Sequence, residues 1–270
     1  MAIIALHSAS TGLSALSTEL DIIANNLANV NTHGFKASRA NFQDLLYAEK
    51  AQPGVENANA DQRPTGLYVG LGTKVSGTQL NFEQGPAQQT GRPLDLLIDG
   101  DGFFVVSVEA DLGGVAYTRA GNFTINRDGE IVLANDQGRR LEPPITIPAN
   151  VPPSAVTITS NGTVFVREPG ATEDTELARI QIATFINPAG LRQIGENLYV
   201  PSAASGEASE GDPATDGRGT LVQGFLEGSN VDPVSELVAL IKTQRAFEMN
   251  SQSIKAADEV LQNVANLRRF

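Results

Sequence analysis

Apolar residues recur with a helical period at both ends of the chain and with a strand period between them. Over residues 3–30, Leu6, Leu13, Leu20 and Leu27 fall at every seventh position, and Ala9, Leu16, Ile23 and Val30 lie three residues further on. Those are the a and d positions of a coiled-coil seam, and they predict one long helix. Near the other end Leu240, Phe247, Ile254 and Leu261 repeat at seven, with mixed companions Thr243, Asn250, Ala257 and Val264. Asp232 supplies an N-cap and Pro233 a first-turn residue for that second helix. At 1.5 Å per residue the helices reach roughly 40 and 50 Å. Two readings fit: amphipathic helices lying on a globular core, or terminal helices that seek each other and their neighbours. The presence of the pattern at both ends favours the second.

Between the ends the pattern shortens to alternation. "NFTINRDGEIVLA" predicts a hairpin turning at Asp128-Gly129, and "AVTITSNGTVFV" another at Asn161-Gly162. "LDLLIDGDGFFVVSV" places two apolar runs around Asp99-Gly100-Asp101-Gly102, and "LARIQIATF" and "GTLVQGFLEG" add strands. Residues 201–219, rich in Ser, Gly and Asp, predict a loop. The fold class expected is therefore α+β: long paired N- and C-terminal helices plus a discontinuous, mostly antiparallel β domain. The divisions expected are an N-terminal helix over 1–33, a linker region over 34–80, the β domain over 81–228 and a C-terminal helix over 229–270. Within the linker region, residues 47–72 form a distinct segment. Its Tyr47, Pro53, Gly54, Pro64 and Gly66 exclude one continuous helix, and its polar centre offers little to a core.

Charge changes the picture of what the parts face. The 270 residues carry a formal net charge of −12. Residues 1–46 hold −1 of it and residues 231–270 none, leaving −11 on the middle. Near-neutral helical ends can lie beside copies of themselves, whereas an acidic β domain suits solvent or a basic partner. The same balance argues against nucleic-acid binding and against an anionic membrane surface. No apolar run is long enough to span a bilayer, and the N-terminus does not read as a cleavable signal peptide. Candidate chemistry is sparse. With no Cys and only His7 and His33, neither a thiolate zinc site nor a triad is expected. The "DGDG" at 99–102 reads as a tight turn, since Phe103 and Phe104 stand where calcium ligands would follow. No catalytic residue, metal or cofactor is assigned.

Four asparagines, Asn25, Asn26, Asn29 and Asn31, crowd the end of the first helix before Gly34 and Phe35. Amides both donate and accept, which suits a helix exit with unpaired carbonyls, and Gly34 suits a left-handed turn. This motif, "LDIIANNLANVNTHGFKASRANFQDLLY", resembles the N-terminal signature of the bacterial flagellar rod and hook family. "VQGFLEGSNVDPVSELVALIKTQRAFEMNSQSIKAADEVLQNVANL" resembles its C-terminal signature, and "IDGDGFFVV", "YTRAGNF" and "IGENLYV" resemble its middle. "FQDLLY" and residues 48–66 are most similar to distal-rod members, with proximal-rod and hook members as the alternatives inside the family and an enzyme or carbohydrate-binding β domain as the alternative outside it. The resemblance implies that the terminal helices form the inner layer of a tubular filament, with the β domain outside. Self-association residues are then Leu6, Leu13, Leu16, Leu20, Ile23, Leu27, Leu240, Phe247, Ile254 and Leu261; residues 47–72 read as either a loose linker or an intersubunit arm, and the resemblance favours the arm. The partners implied are further copies, neighbouring rod and hook axial proteins, flagellar ring proteins, the export apparatus and a rod cap, without membrane insertion. Export through the flagellum's own channel is implied as well.

Overall fold

A computed structural model of the chain describes residues 2–54, 64–169 and 173–267. The chain divides into two compact units: residues 1–28, 38–79 and 232–270 make one, and residues 29–37 and 80–231 the other. The first is thus assembled from both ends of the chain and residues 38–79, so the segment expected as a linker is largely part of a helical unit.

In that unit helix α1, Ala2–Ala28, and helix α2, Pro233–Leu267, run antiparallel. Two contacts set their direction: Asn26 Nδ2 donates to Glu236 Oε1 at 3.0 Å, and Gly12 lies against Asn250. The start of α2 is where the sequence puts it. The Ser235 hydroxyl donates to Asp232 Oδ2 at 2.6 Å and the Val234 amide to Oδ1 at 3.1 Å, which together hold the Asp232 carboxyl below its usual range. Four strands complete the unit: β1, Ser38–Asp44, β2, Tyr47–Ala51, β3, Leu67–Gly70, and β4, Thr73–Leu80. β1 pairs with β4, and β2 pairs antiparallel with β3, with Tyr47 opposite Gly70 and Ala51 opposite Leu67. The base of this ribbon is tied to α1: the Ser8 hydroxyl donates to Gly70 O at 3.3 Å and the Thr73 amide to Thr11 Oγ1 at 3.4 Å.

The second unit is β structure. Its strands, in chain order, are β5 (Ala87–Gln89), β6 (Leu96–Asp99), β7 (Phe103–Ser107), β8 (Val115–Thr118), β9 (Phe123–Ile125), β10 (Ile131–Leu133), β11 (Val156–Ile158) and β12 (Thr163–Val166). They continue as β13 (Thr175–Arg179), β14 (Ile182–Thr184), β15 (Arg192–Gly195), β16 (Leu198–Val200), β17 (Ser209–Gly211), β18 (Thr220–Gln223) and β19 (Phe225–Glu227). Six of them form one sheet in the order β15-β16-β8-β7-β14-β17. Side chains alternate along β7, so Phe104 and Val106 enter one apolar cluster while Phe103 and Val105 enter another. A strand covered on both faces reads as a continuous apolar run, which is why "FFVV" shows no alternation. Phe104 meets Phe123 edge to face at 5.1 Å, and Phe103 meets Phe185 likewise at 5.7 Å.

The expected hairpins at Asp128-Gly129 and Asn161-Gly162 form as β9–β10 and β11–β12. The structure adds detail at two places and changes one expectation, the loop over 201–219. The two runs flanking "DGDG" enter different sheets, β6 pairing with β18 and β7 with β8 and β14. A turn signal fixes where the chain reverses, not which edge takes the next strand. "LARIQIATF" divides into β13 and β14 around the buried Ile180. The loop expected over 201–219 contains β17, which pairs with β14. An edge strand of this kind is held by backbone bonds, so it leaves no apolar pattern to read.

Candidate assembly interface

Two paired helices bury one stripe each, and the rest of their surface must face something else. On α1, Ile23 is buried, whereas Leu6, Leu13, Leu16, Leu20 and Leu27 are only half-buried. On α2, Leu240 and Ile254 are half-buried, while Phe247 and Leu261 are exposed. Among the α2 residues whose side chains are described, the most buried is the polar Thr243, at 5% exposure. On α2 the buried position of the heptad is therefore its polar companion Thr243 rather than Leu240.

A second stripe of α2 faces outward. Val234 is 68% exposed, Leu237 and Val238 46% each and Ile241 57%, and Met249 lies exposed further along. Positions three, four and seven apart share a helix face, so Val234, Leu237, Val238 and Ile241 form one apolar strip, which ends where Arg245 and Glu248 take the next positions of that face. The heptad reading selected Leu240 and passed over its neighbours. The signal was nonetheless present in "PVSELVALI", where apolar residues cover more of the circumference than one seam needs. Apolar surface of this kind on a small folded unit marks a protein contact.

The asparagine motif does several jobs. Asn26, 2% exposed, accepts the Ser38 amide at 3.0 Å and donates to Ser38 O at 2.8 Å as well as to Glu236. It joins α1 to β1 and to α2. Asn29 takes the Thr32 amide on its carbonyl and the Thr32 hydroxyl on Oδ1, both at 3.1 Å. Asn25 and Asn31 are exposed. Gly34 has φ +71°, and an added Cβ would stand 2.6 Å from the Ala120 nitrogen, so the turn admits no side chain. Half-buried Phe35 follows, its amide bonded to Thr32 O at 3.3 Å.

The ribbon β2–β3 carries exposed apolar side chains: Leu46 beside it at 83%, Tyr47 at 58%, Leu67 at 55% and Tyr68 at 50%. Pro53, Gly54 and Pro64 are exposed beyond its strands, and Gly66 packs under the Tyr68 ring. Residues 55–63 of the expected arm lie outside the described residues.

In the β unit the segments 34–37, 81–85 and 227–230 are locked by a buried ion cluster that the sequence did not disclose. Lys36 Nζ, wholly buried, donates to Glu227 Oε1 and Glu83 O, each at 2.6 Å, and Arg119 Nη1 stands 3.5 Å from Glu227 Oε2. Burial holds both Lys36 and Arg119 below their ordinary pKa despite the attraction of Glu227. Asn230 adds bonds to Asn81 O and Glu83 O and accepts the Ala37 amide. Among the described residues no group of three or more His, Asp or Glu is placed to hold a metal ion, and no helix is long and apolar enough to cross a membrane.

Three family models match the chain: flagella basal body rod protein over residues 6–36, the D1 domain of the flagellar hook protein FlgE/F/G over 97–166, and the C-terminal region of the flagellar basal body rod FlgEFG protein over 222–267. Similar relatives include the flagellar basal-body rod protein FlgG of Caulobacter vibrioides, 43% identical over 98% of this chain and 99% of its own length. The FlgG rod protein of Borreliella burgdorferi is 43% identical over 98% of both chains, and that of Bacillus subtilis 40% over 98% of both.

Proposed function

The chain belongs to the flagellar basal-body rod protein family, and from that membership we propose that it is a structural subunit of the distal rod, self-assembling through its terminal helices. Its place is the flagellar basal-body rod, and its relatives are rod proteins by name, which points to a structural rather than a catalytic role. The observation that carries the assembly reading is the outward strip Val234, Leu237, Val238 and Ile241 on a helix already paired along another face. Such a helix has a partner inside its own chain and an apolar surface left for a neighbouring copy.

In this reading α1 and α2 form a coiled-coil inner layer of a tube, and Leu6, Leu13, Leu16, Leu20, Leu240, Phe247, Ile254 and Leu261 complete seams with adjacent subunits. The ribbon β2–β3 and residues up to 72 act as the intersubunit arm, restricting the sliding that would let the tube bend. The tube carries motor torque toward the hook. Its remaining partners are neighbouring axial proteins, surrounding ring proteins, the rod cap and the export apparatus that delivers the subunit.

The test compares polymer formation by the whole chain with that of a chain lacking residues 1–30 and 235–270, by sedimentation and electron microscopy. The whole chain is expected to form tubes, and the truncated chain to remain monomeric with its β unit folded. Tubes formed without the ends would overturn the proposal.

A further inference from the structure

The leucines of α1 cannot set the register of the helix pair. They repeat every seven residues, so sliding α2 by one heptad presents it with the same seam. The contacts observed are of another kind. The same number of residues separates Gly12 from Asn26 on α1 as separates Glu236 from Asn250 on α2, and these are the residues that meet. Midway between them in each helix stand half-buried Glu19 and buried Thr243. The stripe is polar, heptad-spaced and, unlike the leucines, not repetitive.

We propose that the polar stripe Gly12, Glu19 and Asn26 against Asn250, Thr243 and Glu236 selects the one register in which α1 and α2 pair, and so determines which face of α2 stays outward. Three features support it. Asn26 is held by both polar groups of the Ser38 backbone, so it is a fixed post rather than a side chain that can follow a sliding partner. A Cβ at Gly12 would approach Asn250 Nδ2 to 3.1 Å, so the small residue and the amide are matched at that level. Both slips by one heptad are penalised. One sets Glu19 opposite Glu236, bringing like charges together; the other sets Asn26 opposite Thr243 and removes Glu236 from it. A polar residue in an otherwise apolar seam fixes register in this way at a cost in stability.

The absence of cysteine allows a direct test by engineered cross-links in the full-length chain at low concentration. Leu16→Cys with Ala246→Cys reports the observed register. Leu16→Cys with Ala239→Cys, or with Ser253→Cys, reports a slip of one heptad either way. In the otherwise unaltered chain only the first pair is expected to oxidise to an intramolecular disulfide. With Asn26→Leu, Glu236→Leu and Asn250→Leu added, a shifted pair should cross-link with its yield raised about tenfold or more, the bias that one buried polar mismatch imposes. Undiminished helical circular dichroism separates slippage from unfolding, and Glu236→Gln, which keeps the bond to Asn26, should retain the single register. Shifted pairs that stay unlinked in the leucine variant while its helices remain intact would overturn the proposal. Because the readout is intramolecular, that result would leave the assembly reading untouched.

Discussion

Glu227→Gln should damage the β unit more than Lys36→Met, although the two residues form one ion pair. Glu227 lies between two buried cations and is the strongest attraction on each, ahead of Glu83 for Lys36 and Asp101 for Arg119. Its Oε1 takes Lys36 Nζ at 2.6 Å and the Gly85 amide at 2.9 Å, and its Oε2 lies 3.5 Å from Arg119. Neutralising it leaves two buried positive charges facing each other, a loss of about 3–5 kcal/mol. Lys36→Met leaves the Arg119–Glu227 pair in place, fills most of the volume and removes hydrogen bonds to Phe82 O, Glu83 O and Glu227. Removing the ammonium also removes its desolvation cost, which offsets most of the three lost bonds and leaves a net loss of about 1–3 kcal/mol. In a unit of this size each kcal/mol moves the melting temperature by roughly 2–4 °C, so Glu227→Gln should lower it by roughly 6–20 °C. Thermal unfolding of the full chain at neutral pH, followed by circular dichroism, distinguishes the two. Lys36→Met lowering the midpoint as much as Glu227→Gln would refute the shared-anion argument. The pH dependence follows from the same cluster. The folded pKa of Lys36 lies below its unfolded 10.5, so in that alkaline window the unfolded chain binds more protons and stability rises with pH. The rise should disappear in Lys36→Met. Tyr117, pushed up to about 12 by burial, works in the opposite direction above pH 10 in both proteins and cancels in the comparison.

Ile241→Asp and Val238→Asp should abolish sedimentable polymer while shifting the stability of the monomer by no more than about 0.5 kcal/mol, as for exposed substitutions generally; normal polymer would remove α2's outer face from the interface. Gly34→Ala, forced into a left-handed turn with no room beside Ala120, should cost about 1–3 kcal/mol in urea unfolding, and a neutral result would show the turn can rearrange. The Asp232 carboxyl has a folded pKa below its ordinary 3.8, so its cap is present above that value and lost as pH falls through the lowered one. Protection of the Val234 amide, taken relative to its intrinsic exchange rate at each pH, should fall in that acid range and be low in Asp232→Ala throughout; equal protection in the variant above pH 4 would show the cap contributes nothing. Deleting residues 49–65 should permit assembly but yield bent or flexible tubes under the electron microscope, whereas straight, stiff tubes would leave the ribbon without a bracing role.

The sequence by itself determined the elements whose causes are local. Heptads marked both helices, Asp232-Pro233 marked a helix start to the residue, and Asp-Gly and Asn-Gly marked two hairpins, because period, capping and turn conformation depend on neighbours along the chain. It also placed Gly34 in a left-handed turn. Other features depend on residues far apart, and only the tertiary structure decided them. Lys36, Arg119 and Glu227 form a cluster because three distant segments converge, and each alone reads as an ordinary surface charge. β17 exists because β14 offers it an unpaired edge, and β6 and β7 part company because different edges accept them. Likewise the heptad showed that α2 has an apolar face, but periodicity cannot say which face a partner inside the chain will cover. That choice was made by Gly12, Asn26 and Ser38, whose hydrogen bonds and close approach turn the polar stripe of α2 inward and leave Val234, Leu237, Val238 and Ile241 outside.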